Sequence, residues 1–142
     1  MTQELRNIFD KVFLTITEDH ENRWVFVDWS GYLTEENIKA GALAYTKVIK
    51  DTGFSCVLND TTKVVGSWDH SLDWVVNEWS VQAAAAGVRH FAMVTAPETF
   101  AQTSAENFYS NVKAFKINVF DNLEEASRWL RKYSLHNGSS LI

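Results

Sequence analysis

The densest group of side chains that could do chemistry lies in the stretch from Asn59 to Ser71, N-D-T-T-K-V-V-G-S-W-D-H-S. This stretch follows a short buried strand predicted for Ser55 to Asn59, and an amphipathic helix comes after it. Loops at the carboxyl ends of strands are where ligands and partners usually meet an α/β sheet. We therefore predict a ligand or partner loop that uses Asn59, Asp60, Thr61, Thr62, Trp68 and Trp74. The structural alternative is a turn whose Asn and Asp side chains bond nearby backbone donors.

Hydroxyl groups are the second chemical feature of this loop. A phosphate close to a helix N-terminus is stabilised by the helix dipole and by free amide groups. Because the loop leads into a helix, its hydroxyls are candidate phosphoacceptors, namely Thr61, Thr62, Ser67 and Ser71.

The run Asp69-His70-Ser71 places an acid, an imidazole and a hydroxyl side by side. A nucleophile needs a base positioned in space, which adjacency does not supply, and the sequence has no G-x-S-x-G motif. The sequence also has no H-E-x-x-H motif and no paired cysteines, so we predict no metal site from its scattered histidines, His20, His70, His90 and His136. We expect a protein that is not an enzyme and uses no cofactor.

Aromatic side chains are abundant, with six tryptophans in 142 residues. Core filling accounts for most of them, but Trp68 lies in a polar loop, where a large ring is typical of a pocket wall or an interface anchor. Trp74 and Trp79 are five residues apart, about 500° of α-helical rotation, so we expect them to face different surfaces. These aromatic residues predict either a pocket for a small apolar or lipid-like ligand or a homodimer.

Composition limits the classes of partner. The net charge is −5, and the lysines and arginines are scattered with no run longer than two, so we predict no nucleic-acid binding. No apolar run reaches the length of a membrane span, and the N-terminal residues lack the pattern of a secretion signal. We therefore expect a cytoplasmic location. The single cysteine, Cys56, lies in a predicted strand beside Val57 and is predicted to be buried.

The N-terminal elements follow from hydrophobic periodicity. Alternation of period two predicts strands over Lys11 to Thr17 and Arg23 to Trp29, and the short turn between them predicts an antiparallel hairpin. Thr34 followed by two acids predicts a helix start, and Gly53 predicts the end of that helix.

Strands and helices then alternate to the end of the chain. The predicted order is β-β-α-β-α-β-α-β-α, which gives an α/β domain with a mixed sheet of four or five strands and about four helices. We place this single domain at residues 1–133 and a C-terminal tail at residues 134–142. The third helix, which follows Pro97, should turn four side chains inward: Phe100, Ser104, Phe108 and Val112.

Four segments carry a resemblance to a known family: W-V-F-V-D-W-S-G-Y-L-T-E-E-N, V-L-N-D-T-T-K-V-V-G-S-W, D-W-V-V-N-E-W and F-D-N-L-E-E-A-S-R-W-L. Together they make most of Arg23 to Leu130 resemble the SpoIIAA-like proteins of the STAS superfamily. The resemblance implies a sheet of four or five strands with helices packed beside it.

In STAS anti-sigma factor antagonists, a phosphorylated serine at the start of a helix switches partner binding. This chain lacks the D-S-S-G-type turn of those proteins, and Thr61, Thr62, Ser67 and Ser71 are the stand-ins. The resemblance thus implies a regulatory or protein-binding module tuned by phosphorylation. The alternative is a carrier or sensor of a small apolar or lipid-like ligand.

Overall fold

The structure is a computed structural model that describes residues 1–139, with side chains through Leu135. Within these residues the strands are β1 Thr2–Arg6, β2 Val12–Asp19, β3 Trp24–Gly31, β4 Cys56–Val64, β5 His90–Val94 and β6 Lys116–Phe120. Helix α1 spans Glu35–Thr52, α2 spans 72–86, α3 spans Phe100–Asn111 and α4 spans Leu123–Ser139. Helix α2 joins two α-helical parts, Leu72–Trp74 and Ser80–Ala86, through a π-helical turn, Val75–Trp79, and follows a 3₁₀ turn, Asp69–Ser71. Helix α4 includes the start of the predicted tail, whose last residues, 140–142, lie outside the described residues.

The sheet has six strands rather than the four or five that we predicted. The additional strand is β1, which pairs antiparallel with β2 at the edge of the sheet. Its residues are exposed except for the half-buried Leu5, so the sequence carries no alternation of apolar and polar residues there. Strand β1 is extended because its backbone forms hydrogen bonds with the backbone of β2.

The strands follow one another across the sheet in chain order. Strands β1 to β3 are antiparallel and β3 to β6 are parallel, which confirms the predicted mixed sheet and its hairpin. Parallel crossovers share one hand, and here each moves to the next strand in the same direction, so α1, α2 and α3 lie on one face. Helix α4 packs on the other face, against β4 and β5.

Two hydrophobic cores result, one on each face of the sheet. The larger core lies under α1 to α3 and contains Leu14, Val27, Trp79, Phe91 and Phe108. The smaller core lies under α4 and contains Trp24, Cys56, Leu58, Ala126 and Leu130. Cys56 is buried, as predicted.

Helix α1 begins and ends as its sequence predicts. The Thr34 side chain accepts a hydrogen bond from the backbone N–H of Asn37, and Gly53 ends the helix with a φ of 75°. Between them Gly41 lets the helix approach the sheet, because a methyl group there would lie 2.5 Å from Cη2 of Trp29. Helix α3 differs from prediction at one position: Phe100 is exposed because the helix starts at that residue, after the Thr99 cap.

Strand β4 is longer than predicted and absorbs part of the expected loop. Its pairing with β5 ends at Asp60 opposite Val94, whereas its pairing with β3 continues to Val64 opposite Gly31. The prediction that residues 60–64 form a loop was therefore wrong, because this polar segment remains paired with β3. The connection to α2 is formed by residues 65–71, here named the cover loop.

Candidate functional site

The predicted site residues of β4 point to opposite faces of the sheet. Asn59 and Thr61 are buried toward α1 to α3, whereas Asp60, between them, lies on the other side of the strand. The Asp60 carboxylate accepts a hydrogen bond of 2.8 Å from the backbone N–H of Thr62, which is exposed. This is the local backbone bond that we named as the alternative role for the acid. The structure thus separates Asp60 and Thr62 from Asn59 and Thr61.

A small cavity lies between the sheet and the helices, beneath the cover loop. The space open to the centres of water molecules in it is about 40 Å³. Strands β3 to β5, helices α1 to α3, the cover loop and Leu33 contribute to its wall, which is formed by Trp29, Leu33, Ile38, Ala42, Tyr45, Asn59, Thr61, Trp68, Val75, Trp79, Phe91, Met93 and Phe108. Three predicted site residues, Asn59, Thr61 and Trp68, therefore meet at this cavity.

Three indole rings line the cavity, and their N–H groups differ in what they bond. Trp29 Nε1 donates to Asn59 Oδ1 at 2.8 Å, and Trp79 Nε1 donates to Thr46 Oγ1 at 2.9 Å. Trp68 Nε1 is buried and has no partner among the described residues. A buried N–H group without a partner costs free energy, so this donor has an unused capacity to bind.

The remaining polar groups of the cavity wall are neutral. The Thr61 hydroxyl donates to the backbone oxygen of Val94 at 2.8 Å, and Asn59 Nδ2 lies 3.1 Å from Met93 Sδ. Burial raises the pKa of Tyr45, so its phenol stays protonated and uncharged. The cavity therefore offers hydrogen bonds to a guest but no charge.

The cover loop is fastened to helix α3 by Ser104. The Ser104 hydroxyl, which is fully buried, donates to Asp69 Oδ1 at 2.8 Å and lies 3.1 Å from the Ser67 hydroxyl. It also accepts a hydrogen bond of 3.1 Å from the backbone N–H of Trp68. These contacts hold Trp68 over the cavity, where its ring contacts Phe108.

The other end of the cover loop is fastened by His70. Its Nε2 lies 3.0 Å from the backbone oxygen of Leu33, and its Nδ1 lies 2.8 Å from the Ser71 hydroxyl. The imidazole and hydroxyl thus have the separation of a base and a nucleophile. Ser71 is only 1% exposed, however, and is not part of the cavity wall. The arrangement binds the loop to the segment between β3 and α1 rather than presenting a nucleophile to a substrate.

The four candidate phosphoacceptors differ in access. Thr61 and Ser71 are buried, and both hydroxyls are hydrogen-bonded inside the protein. Thr62 and Ser67 are exposed. Ser67 alone of these two has a hydroxyl that joins the cover loop to α3.

Trp74 and Trp79 are placed by the π-helical turn. Because a π-helix has more residues per turn than an α-helix, residues five apart come onto nearly the same side. Trp79 is fully buried, and Trp74 is half-buried against the same core, so the expected separation onto different surfaces is corrected. The Trp74 ring lies outside the cavity wall, with Lys39 Nζ 5.7 Å from its centroid.

The described residues contain neither a cluster of metal ligands nor a membrane-spanning helix. No three His, Cys, Asp or Glu side chains there come close enough together to hold a metal ion. No helix in that part of the chain combines the length and the apolar character needed to cross a bilayer. The closest charged pair near the site, Lys63 with Asp28 at 2.9 Å, is a surface ion pair that raises the pKa of Lys63.

Sequence reasoning missed the residues that hold the cover loop. Ser104 was predicted to face inward, and a serine among the inward side chains of a helix was the signal that it bonds something buried. Leu33 contributes through its backbone oxygen, which no side-chain pattern reveals.

Comparison with known proteins places the chain in a family. No curated protein matches it. Its fold is similar to that of an uncharacterised protein of the DUF3478 family, with a SpoIIAA-like fold, from Shewanella loihica PV-4. That similarity has a TM-score of 0.56 and 15% identity, over 82% of this chain and 91% of the other, and it concerns the fold alone. The SpoIIAA-like sequence profile matches residues 24–131, well over half of the chain. The protein therefore belongs to the SpoIIAA-like family.

Proposed function

We propose that the protein is a non-enzymatic regulatory module whose cover loop changes state when Ser67 is phosphorylated. The observation that carries this proposal is the position of Ser67, which is exposed yet bonded to the buried Ser104. A kinase needs an accessible hydroxyl, and a switch needs that hydroxyl to hold something in place. Among the four candidate hydroxyls, Ser67 has both properties.

The charge of a phosphate supplies the driving force. Phosphorylation adds about −1.5 to −2 charges at neutral pH. On Ser67 this charge would stand beside Asp69, whose backbone N–H lies 3.1 Å from the Ser67 hydroxyl and whose carboxylate accepts from Ser104. Like charges so close repel each other, so the loop is expected to leave α3 and to carry Trp68 out of the core.

Exposed apolar side chains around the cover loop support a protein partner. Tyr32 and Phe100 are each 76% exposed, and Val65 is 46% exposed. Val65 and Phe100 line one surface groove with Gly66, and Tyr32 lies beside Gly66. Release of Trp68 would add a large ring to this apolar surface, which is typical of a protein interface. A second copy of the chain is one such partner, so the homodimer stays a prediction, as does the cytoplasmic location.

Hydrogen exchange of three variants tests the switch. We expect Ser67→Glu to speed exchange of the Trp68 backbone amide, which bonds to Ser104, because charge enters the Ser104 network. Ser67→Ala removes one hydroxyl without adding charge and should change the exchange much less. Thr62→Glu is the matched control, since it adds the same charge at an exposed hydroxyl outside the network. Equal protection in all three variants would contradict the proposal.

A second candidate function is the sensing of a small ligand in the cavity. The unpaired Trp68 N–H supports it, because a ligand there would contact the same loop that the switch moves. The space of about 40 Å³ favours a small molecule over an acyl chain. Native mass spectrometry of the protein from its own cells, run gently and then under denaturing conditions, would detect a retained molecule. A mass equal to the bare chain in both runs would count against sensing.

A further inference from the structure

The cavity has a polarity that limits what it can hold. Its wall contains no Asp, Glu, Lys, Arg or His side chain among the described residues. Moving a charged group out of water into such a site costs several kcal/mol or more, so carboxylates, phosphates and amines are excluded. A guest of this cavity is therefore electrically neutral.

The size of the cavity limits the guest further. A single water molecule needs about 10–15 Å³ of such space, so the cavity holds about three or four heavy atoms without rearrangement. Most of the wall is aromatic or aliphatic, which favours an apolar body. The guest is thus a compact molecule with few polar atoms.

The unpaired hydrogen-bonding group of the cavity wall determines which kind of polar atom the guest must carry. The Asn59 oxygen already accepts a hydrogen bond from Trp29, whereas the buried Trp68 N–H is unpaired among the described residues. An indole N–H can donate a hydrogen bond but cannot accept one. We infer that the cavity binds a small neutral molecule of about four heavy atoms whose oxygen accepts a hydrogen bond from Trp68 Nε1. This inference rests on the ligand-sensing function proposed above, to which it adds the chemical class of the ligand.

Such a ligand would stabilise the closed cover loop. The backbone of Trp68 bonds to Ser104, and its side chain would then bond to the ligand, so one residue has two anchors. Occupancy of the cavity and attachment of the loop to α3 therefore favour each other. The ligand acts in the direction opposite to that of charge at Ser67.

Three molecules of nearly the same shape test the inference: acetone, 2-methylpropene and acetate. They carry an acceptor oxygen, no acceptor and a negative charge, respectively. Binding is followed by ¹H–¹⁵N spectra, in which six tryptophans give six indole cross-peaks and a Trp68→Phe variant identifies that of Trp68. The variant also enlarges the cavity, but it does so equally for both neutral molecules. The ratio of their affinities therefore measures the contribution of the hydrogen bond to Trp68 alone. Trp74→Phe, outside the cavity wall, is the matched control.

We expect acetone to shift the Trp68 indole proton downfield and 2-methylpropene not to do so. The preference for acetone should fall about tenfold in Trp68→Phe and stay unchanged in Trp74→Phe. Acetate should not bind. Equal affinity for the two neutral molecules would overturn the acceptor chemistry and leave ligand sensing standing. Failure of both neutral molecules to bind would overturn this inference, whereas ligand sensing is overturned only if native mass spectrometry also detects no retained molecule.

Discussion

Trp29 Nε1 donates a buried hydrogen bond of 2.8 Å to Oδ1 of Asn59, thirty residues further along the chain. The two residues lie on adjacent parallel strands, on the face that packs against α1 to α3. Asn59 is thus part of the core polar network as well as of the cavity wall. A change at this residue affects folding before it affects any ligand.

Replacement of Asn59 by Ala should lower the free energy of unfolding. The buried Trp29 N–H loses its acceptor, which costs about 1–3 kcal/mol. Urea unfolding measures the change, and Asn107→Ala, at an exposed helical position, should alter stability by less than about 0.5 kcal/mol. Equal effects of the two substitutions would argue against the Trp29 bond.

Replacement of Ser104 by Ala should loosen the cover loop. The backbone N–H of Trp68 loses its acceptor and Asp69 loses its donor, so local opening becomes easier. We expect exchange of the Trp68 amide to quicken about tenfold, the equivalent of one or two hydrogen bonds. Thr103→Ala, the exposed neighbour, is the control. Unchanged exchange at Trp68 would mean that Ser104 does not hold the loop.

Replacement of Gly41 by Ala should destabilise the fold, although alanine is normally the better helix residue. Its methyl group would lie 2.5 Å from Trp29 Cη2 and 2.6 Å from Leu14 Cδ2, and such overpacking costs about 1–3 kcal/mol. Thermal and urea unfolding measure the loss. Leu43→Ala, at an exposed position of the same helix, should have little effect. A stabilised Gly41→Ala protein would show that α1 can move away from the sheet.

The thiol of Cys56 should make stability fall at alkaline pH. Burial raises its pKa from 9.0 to about 11. Between these values the unfolded chain releases the thiol proton more readily than the folded chain, so the free energy of unfolding decreases as pH rises from 9 to about 11.

Urea unfolding at pH 8 and at pH 10.5 checks this dependence. The decrease should be smaller in Cys56→Ala, in which the buried Tyr45 still contributes. At pH 8 the native thiol should also react with Ellman's reagent far more slowly than the unfolded thiol. An identical loss of stability in wild-type protein and Cys56→Ala would assign the effect to other groups.

Local patterns in the sequence predict most of the fold. The β2–β3 hairpin, the Thr34 cap and the alternation of parallel strands with helices each depend on residues close together in the chain. Strand β1 cannot be predicted in this way, because all its residues except Leu5 are polar and it is extended through its pairing with β2. The π-helical turn that carries Trp79 also leaves no periodic signal.

The sequence predicts where in the chain the candidate site lies, but not which residues contact each other there. Asn59, Thr61 and Ser67 were identified as polar residues near a strand end, yet their roles depend on partners far along the chain. Thr61 bonds to residue 94 and Ser67 contacts residue 104. Because such pairs form only when the sheet and α3 have assembled, the sequence around each residue carries no trace of them.

The unequal pairing of β4 with its two neighbours separates β4 from β5 at the end of the sheet. Beyond Asp60 this strand still pairs with β3 but no longer with β5. Residues 61–64 therefore have a neighbouring strand on one side only, and the cover loop extends from them. The cover loop can therefore move without breaking any backbone hydrogen bond between β4 and β5. The sheet therefore remains whole in either position of the loop. How far the loop opens is set by the contacts of Ser67, Trp68, Asp69 and His70 and by the backbone hydrogen bond from Val65 to Gly31.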